Sequence, residues 1–245
     1  MRYEVDGTGS ITVAARVQVR TEAGVRLLGE LTFSYDSANQ RLSIDTVRVL
    51  KSGGGVVVAP ASSVQDVTAP VGREAPMYSD LREKIITVPG LRPGDTLEYH
   101  ITWLEQTPIT PGEFWYSAPF IRTAIVRDER ITVDVPRQKY VLVKTEGGPS
   151  PQISETTDRR IYRWRLANPE VDTTATAAKL ARAHGVQLTT FHSWADVGRW
   201  YLGLEHDRER VTPAVQAKAA ELVRGRTSLR DSLTAVYEFV AQNFR

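Results

Sequence analysis

The sequence predicts a mainly β protein, an antiparallel β-sandwich over residues 1–168 followed by a connector and a short α-helical segment. Three observations carry this. Apolar residues recur at every second position from the start of the chain to about Asn168, the period of strands buried on one face. Glycine and proline turn signals separate these runs, around Gly53 to Gly55, Pro89 to Gly94, Pro136 and Gly147 to Pro151. Beyond Asn168 and Pro169 the alternation stops, and helical spacing takes over further on.

The first confident strand is ITVAARVQVR, in which Ile11, Val13, Ala15, Val17 and Val19 share one face and Thr12, Arg16, Gln18 and Arg20 the other. Leu31, Phe33 and Tyr35 repeat the pattern, followed by Leu97, Tyr99, Ile101 and Trp103, then Ile131, Val133 and Val135. In RLSIDTVRVL the parity slips between Leu42 and Ile44 on one side and Val47 and Val49 on the other, which predicts a β-bulge near Asp45. Many short strands with almost no helical period between them argue for two sheets packed face to face, in an immunoglobulin-like arrangement with antiparallel pairing. Val13, Val17, Phe33, Tyr99, Ile101 and Val133 are expected to point inward.

Residues 169–191 read as an irregular connector, and residues 192–245 as helices. Ser193 is an N-cap with Asp196 three positions on, and Trp194, Val197, Tyr201 and Leu204 follow at helical intervals. Thr212 before Pro213 is a cap followed by a first-turn proline, and Val215, Ala219 and Leu222 form a stripe ended by Gly225. Leu229, Leu233, Val236 and Val240 make a last stripe with no stop signal before Arg245. Three amphipathic helices of this kind need a cover for their apolar faces, so the helical segment is expected to be the start of a truncated domain.

Composition narrows the function classes. The 245 residues are 41% hydrophobic and 24% charged, which argues against disorder. Basic and acidic residues number 31 and 29 and are spread along the chain, so no nucleic-acid partner is indicated. The densest basic cluster, Arg159, Arg160, Arg163 and Arg165, alternates with Tyr162, Trp164 and Leu166, as a solvated strand face would rather than a phosphate site. No run approaches the roughly 20 apolar residues of a membrane span, and residues 1–10 have no basic start leading into an apolar core, so no signal peptide is read there.

There is no cysteine, which excludes disulfides, thiolate metal sites and thiol nucleophiles in these residues. The histidines, His100, His184, His192 and His206, do not fall at a spacing that gathers them with a carboxylate, so neither a metal nor a cofactor is expected. KSGGG at Lys51 to Gly55 lacks the P-loop spacing and precedes VVV, which makes it a turn between strands. GTGS at Gly7 to Ser10 reads as a flexible entry to the first strand. Asp128 and Glu129 read as a turn rather than a catalytic pair, and no serine sits in a nucleophile elbow. Trp115 and Tyr116, in the loop-like stretch TPGEFWYSAPF, are the residues most open to a sugar or peptide ligand, while Trp103 lies on an apolar face and reads as core.

The run MYSDLREKIITVPGLRPGDTLEYHI resembles the domain of unknown function 3857, which precedes transglutaminase-like, cysteine-protease-like cores in bacterial proteins. The residues that carry the resemblance are Tyr78, Ser79, Asp80 and Arg82, then Pro89, Gly90, Leu91, Pro93, Gly94 and Asp95. VRVLKSGGGVV resembles the family's strand and glycine turn, with Ser52 where the family often has Asp. FHSWADVGRWYLGL and SLRDSLTAVYEFVAQNFR resemble the passage into a transglutaminase-like domain and its opening helix, so residues 192–245 would begin that domain. The resemblance implies a Cys-His-Asp triad whose cysteine lies beyond the opening helix; without a cysteine, this chain is expected not to be an enzyme. It also implies export to the periplasm or cell surface.

The leading functional expectation is a non-catalytic N-terminal accessory module that docks on, orients or shields its own downstream transglutaminase-like core. The alternative is an independent module binding polysaccharide or peptide through Trp115 and Tyr116 or through a sheet edge. An enzyme with an unrecognised site is a third. The first two differ in where exposed apolar surface should lie, on the helices or around the aromatic stretch.

Overall fold

In the computed structural model, which describes residues 1–71, 80–171, 185–206 and 210–244, the alternating sequence pattern becomes strands almost wherever it is regular. β1 (Arg2–Tyr3) and β2 (Gly9–Gln18) lead into α1 (Glu22–Leu28). This short helix was not anticipated among the strands, yet its signals are ordinary: Thr21 accepts from the Gly24 amide at 3.1 Å, with Glu22 in the first turn and Arg26 in the last. Then come β3 (Glu30–Asp36), β4 (Gln40–Leu50), β5 (Val56–Val58) and β6 (Val64–Thr68). They are followed by β7 (Leu81–Thr87), β8 (Thr96–Glu105), β9 (Trp115–Pro119) and β10 (Val126–Pro136). β11 (Leu142–Glu146), β12 (Gln152–Glu155), β13 (Arg159–Asn168) and β14 (Gly185–Thr189) complete the set.

Instead of two sheets there are three. One eight-stranded sheet runs β12-β13-β10-β1-β2-β8-β4-β5, and two three-stranded sheets, β3-β7-β6 and β11-β14-β9, accompany it. Two separate cores result. Leu42, Val47, Val49, Leu97 and Ile101 of the long sheet pack with Leu31, Tyr35 and Ile86 of β3 and β7. Ile131, Val133, Val135, Tyr162 and Trp164 pack with Val186 and Leu188 of β14, together with Tyr3, Phe114 and Phe120. Alternation identifies which face of a strand is buried but not which sheet covers it, and that is why one sandwich was expected where two stand side by side.

Pairing is antiparallel throughout the described strands except for one parallel bridge, Arg2 with Asp134, between β1 and β10. The register between β4 and β8 shifts between Ile44 and Thr46, so Asp45 is the extra residue of the expected bulge. Ile101 and Val133 are fully buried, and Val17, Phe33 and Tyr99 are partly buried. Val13 departs from expectation at 36% exposure. It pairs with Ile101 and so shares that residue's face, but β2 lies between the strands that build the two cores, where its face is incompletely covered.

One further reading is corrected. Residues 185–189, assigned to the connector, form β14, the central strand of its sheet, paired to β11 and β9. The segment GVQLT carries only two inward apolar residues, Val186 and Leu188, too short an alternation to stand out. Residues 172–184, which include His184, lie outside the described residues. The chain divides into two compact units, Met1–His192 and Ser193–Arg245.

The second unit contains α2 (Trp194–His206), α3 (Pro213–Val223) and α4 (Leu229–Asn243). Its caps follow the sequence signals. Ser193 accepts from the Asp196 amide at 3.2 Å, Thr212 from Val215 at 3.3 Å and Ser228 from Asp231 at 3.1 Å. Gly225 follows α3 with φ at +74°, a left-handed conformation that suits glycine. No residue of these helices is buried. On α4 the half-covered positions are Ser232, Ala235, Val236 and Phe239, whereas Leu229, Leu233 and Val240 of the expected stripe are exposed. The helix also stops earlier than its pattern suggested, with Phe244 extended. No described helix is long and apolar enough to cross a membrane.

Candidate binding pocket

The residues of the P-G-L-R-P-G-D motif build a structural staple. Asp95 is 1% exposed at the start of β8, and its carboxylate accepts from the Ser52 and Arg92 amides, each at 2.9 Å, and from the Lys51 ammonium. Lys51 also donates to the Gly90 carbonyl at 2.7 Å, so the KSGGG turn is fastened to the turn before β8. The Lys51 hydrogen bond, with the Ser52 amide behind it, holds the Asp95 carboxyl below its ordinary pKa. Gly94 completes the staple: its φ is +95°, and a Cβ there would come within 3.3 Å of the Ser52 Cβ. Pro89 and Pro93 shape the same turn.

Upstream in the motif, Asp80 is exposed and its carbonyl accepts from the Ser37 amide and hydroxyl. Arg82 donates through Nε to Asp66 Oδ1 at 2.9 Å, and the same carboxylate accepts from the Tyr35 hydroxyl at 2.8 Å. Tyr78 and Ser79 lie outside the described residues. The motif positions that are described thus hold turns and cross-strand contacts.

Trp115 and Tyr116 lie elsewhere, and in a strand rather than a loop. They open β9, opposite Thr189 and Leu188 of β14, and the neighbouring Phe114 amide donates to the Thr190 hydroxyl at 2.9 Å. Both line a pocket of about 210 Å³. Its other walls come from across the long sheet. Gly9, Glu105 and Gln40 form one row across β2, β8 and β4, and Ile11 and Trp103 form part of the next row on the same face. Tyr3 closes another side, its ring stacked on Phe114 at 4.2 Å. GTGS is accordingly more than a flexible entry, since a Cβ on Gly9 would come within 2.8 Å of the Tyr3 ring and 2.5 Å of the Arg2 carbonyl.

The ionisable groups of the pocket are acidic or phenolic. Gln40 Nε2 donates to Glu105 at 2.9 Å while its Oε1 accepts from the Asp36 amide at 3.1 Å. Burial pushes the Glu105 carboxyl above its ordinary pKa, the Gln40 hydrogen bond opposes this, and nearby Asp36 adds to the rise. Tyr3 is raised by burial and then by Tyr116 and Glu105, and Tyr116 is raised by burial. Glu113 Oε2 is closed off from solvent and accepts no hydrogen bond; the Lys139 ammonium lies 3.9 Å from it.

Trp103 was read as core, and it is partly packed on the first core with Nε1 donating to the Ser34 carbonyl at 2.9 Å, but its ring also lines the pocket. Glu105, Gln40, Glu113 and Tyr3 were missed. One signal was present: Leu97, Tyr99, Ile101, Trp103 and Glu105 share one parity of β8, so a carboxylate ends an inward stripe.

The remaining candidates are engaged in local contacts. Arg159 is largely enclosed and donates to Asp134, Glu4 and the Tyr3 carbonyl, which corrects the view of it as solvated. Arg160 pairs with Glu155, Arg163 with the Ser154 hydroxyl and Arg165 with Asp128. His100 Nδ1 lies 3.0 Å from the bulge residue Asp45, and His192 stacks on Tyr140 at 3.9 Å. Asp128 is held by Arg130 and Arg165, and Glu129 accepts from the Ile121 amide. Among the described residues no group of three or more His, Asp or Glu side chains could hold a metal.

Comparison with known proteins adds two findings. Residues 5–171 match the model of a domain of unknown function with a solved structure, DUF3857. Among solved structures, a protein from Parabacteroides distasonis described as a candidate protease superposes with a TM-score of 0.78 at 16% sequence identity. The alignment covers 99% of this chain and 48% of that protein, so the chain spans about half of its neighbour's length, and the likeness is one of fold. No curated protein matches the sequence.

Proposed function

We propose that this chain, which belongs to the DUF3857 family, is a non-catalytic accessory module that docks on or orients a transglutaminase-like or protease-like core of the same polypeptide. The observation that carries the reading is the uncovered apolar surface of the helical unit. Trp194 is 89% exposed, and Leu229, Leu233 and Tyr237 on α4 are 77%, 62% and 74% exposed. Amphipathic helices draw most of their stability from covering such a face, so this one calls for a partner surface. A core of the same polypeptide is the occupant we assign, because the structural neighbour carries about as much chain again as these two units.

The chain holds no cysteine, so in this reading any thiolate chemistry belongs to that core. The description of the neighbour as a candidate protease agrees with a hydrolytic core. An immunoglobulin-like arrangement of the sheets, a transglutaminase-like identity for the helices and an extracytoplasmic location complete the proposal. Hydrogen exchange on this chain and on the full-length polypeptide tests it. Amides of α2 and α4 are expected to exchange fast in the first and at least ten times more slowly in the second; equal protection in both would refute docking.

A second reading has one specific observation in its favour. Trp115 and Tyr116 share a pocket with Trp103 and Tyr3, an aromatic enclosure suited to a small ligand. A ligand-binding module and a docking module are compatible, since the pocket lies within the first unit and the apolar face within the second.

A further inference from the structure

We infer that the pocket between β8 and β9 binds a primary alkylammonium head, such as a lysine side chain, with Glu105 as its counter-ion and Trp103, Trp115 and Tyr116 as its walls. The inference rests on the reading that this pocket takes a ligand, and it names the class.

The hydrogen-bonding inventory gives the sign of the ligand. Gln40 is occupied on both its amide nitrogen and its oxygen, by Glu105 and by the Asp36 amide. The Trp103 N–H is occupied by the Ser34 carbonyl, which also fixes the ring. The Glu105 carboxylate is therefore left as the charged group of the lining with acceptor capacity to spare, alongside phenol groups and aromatic faces. A carboxylate set among such groups asks for a donor. No lysine, arginine or histidine is among the described residues lining it.

Charge points the same way. Glu105 is a carboxylate whose ionised form is disfavoured by burial and by Asp36, and among the described residues the hydrogen bond given to its side chain comes from a neutral amide. A half-buried carboxylate whose partner is a neutral amide is disfavoured in its charged form, and an incoming ammonium offsets that while its N–H groups meet the remaining carboxylate lone pairs. Aromatic faces add cation–π attraction, strongest for tryptophan. A neutral sugar would stack on the same rings but leave the carboxylate charge uncompensated. A pocket of about 210 Å³ suits an ammonium on a short alkyl stem.

The test uses the 245-residue chain and the indole N–H signals of Trp103 and Trp115 in two-dimensional NMR. Three probes are titrated: Nα-acetyl-lysine methylamide, cadaverine and Nα-acetyl-norleucine methylamide, the last an uncharged shape-mate of the first. N-acetylglucosamine serves as the sugar arm. Both amines are expected to shift these signals, with the lysine derivative binding at least ten times tighter than the norleucine one. Capped lysine ahead of cadaverine marks a peptide side chain as the source, and the reverse order a free polyamine. Glu105→Gln is expected to bring the lysine derivative down to the norleucine level, while Glu98→Gln, on the opposite parity of β8 beside Arg48, changes nothing. Equal binding of the norleucine derivative, or tighter binding of the sugar, would overturn the ammonium class while leaving a ligand pocket. No shift with any probe at millimolar concentration would overturn both.

Discussion

Lys51 and Asp95, 44 residues apart in sequence, meet as an ammonium and a nearly buried carboxylate that fasten the turn after β4 to the turn before β8. The ends of two neighbouring strands of the long sheet are thus clamped together, close to where the Gly94 amide donates to the Val19 carbonyl at 2.7 Å. The contact gives the glycine, the proline pair and the acid of this motif a shared structural part to play.

Removing one partner forfeits the whole contact, so removing the second adds little. Asp95→Asn and Lys51→Met are each expected to lower the urea midpoint without changing the slope, and the double variant to lie close to either single one. Additive losses would show that the two side chains act independently.

The same pair sets an acid limit. The folded-state pKa of Asp95 is depressed, so its contribution is complete above the unfolded carboxylate value of about 3.9 and is lost as pH falls through the lower folded value. Acid unfolding of the wild type is therefore expected to be steeper than that of Asp95→Asn, and melting curves from pH 6 to pH 2 would measure it. Parallel curves would remove Asp95 from the account.

Arg159 performs a similar task for β1. Its guanidinium reaches Asp134 Oδ1 at 2.7 Å, Glu4 Oε2 at 2.9 Å and the Tyr3 carbonyl at 2.8 Å, tying the short strand to β10 and β13. Arg159→Met is expected to cost roughly 1.5–3 kcal/mol, the range for hydrogen bonds to charged groups. Because Tyr3 lines the pocket, the variant should also weaken ligand binding there, whereas Arg163→Met, bonded only to the Ser154 hydroxyl, should do neither.

Period-two alternation made most strands legible, and the slip at Asp45 showed even the bulge, because a bulge moves every later side chain to the other face. The helix caps at Ser193 and Thr212 were equally plain, since capping is a local transaction between neighbours. The division into two cores was not legible: Phe33 and Val133 carry the same alternating pattern but are covered by different partners. Trp115 and Tyr116 were found as exposed aromatics, but the pocket they share depends on register, which sets Glu105 beside Gly9 and Gln40. Only Glu105 itself, an acid on an apolar parity, gave a local hint.

On α4, Leu233 is exposed, whereas Ala235, Val236 and Phe239 are half-covered. Leu233→Glu is therefore expected to change the stability of this chain by no more than about 0.5 kcal/mol, as surface substitutions do. In the full-length polypeptide the same change should raise exchange of α4 amides toward the level of the chain alone. Ala235→Glu, on the half-covered side, should destabilise both forms. An unaltered full-length protein carrying Leu233→Glu would place the docking surface elsewhere.

Glu105 offers a test in which stability and binding move in opposite directions. Its folded-state pKa is raised, so the folded protein holds the proton more tightly than the unfolded chain does, and ionisation costs stability. Below the unfolded glutamate value of about 4.3 that cost is absent; it grows as pH rises through the folded value and is constant above it. Glu105→Gln keeps an acceptor for the Gln40 amide while removing the charge. The variant should melt higher than wild type at pH 7, by a margin that vanishes below pH 4, and should lose its response to the lysine probe. Groups kept for packing alone do not behave in this way, since their replacement lowers stability or leaves it unchanged. A variant that melts lower at pH 7 would show that the carboxylate is fully compensated by its neighbours.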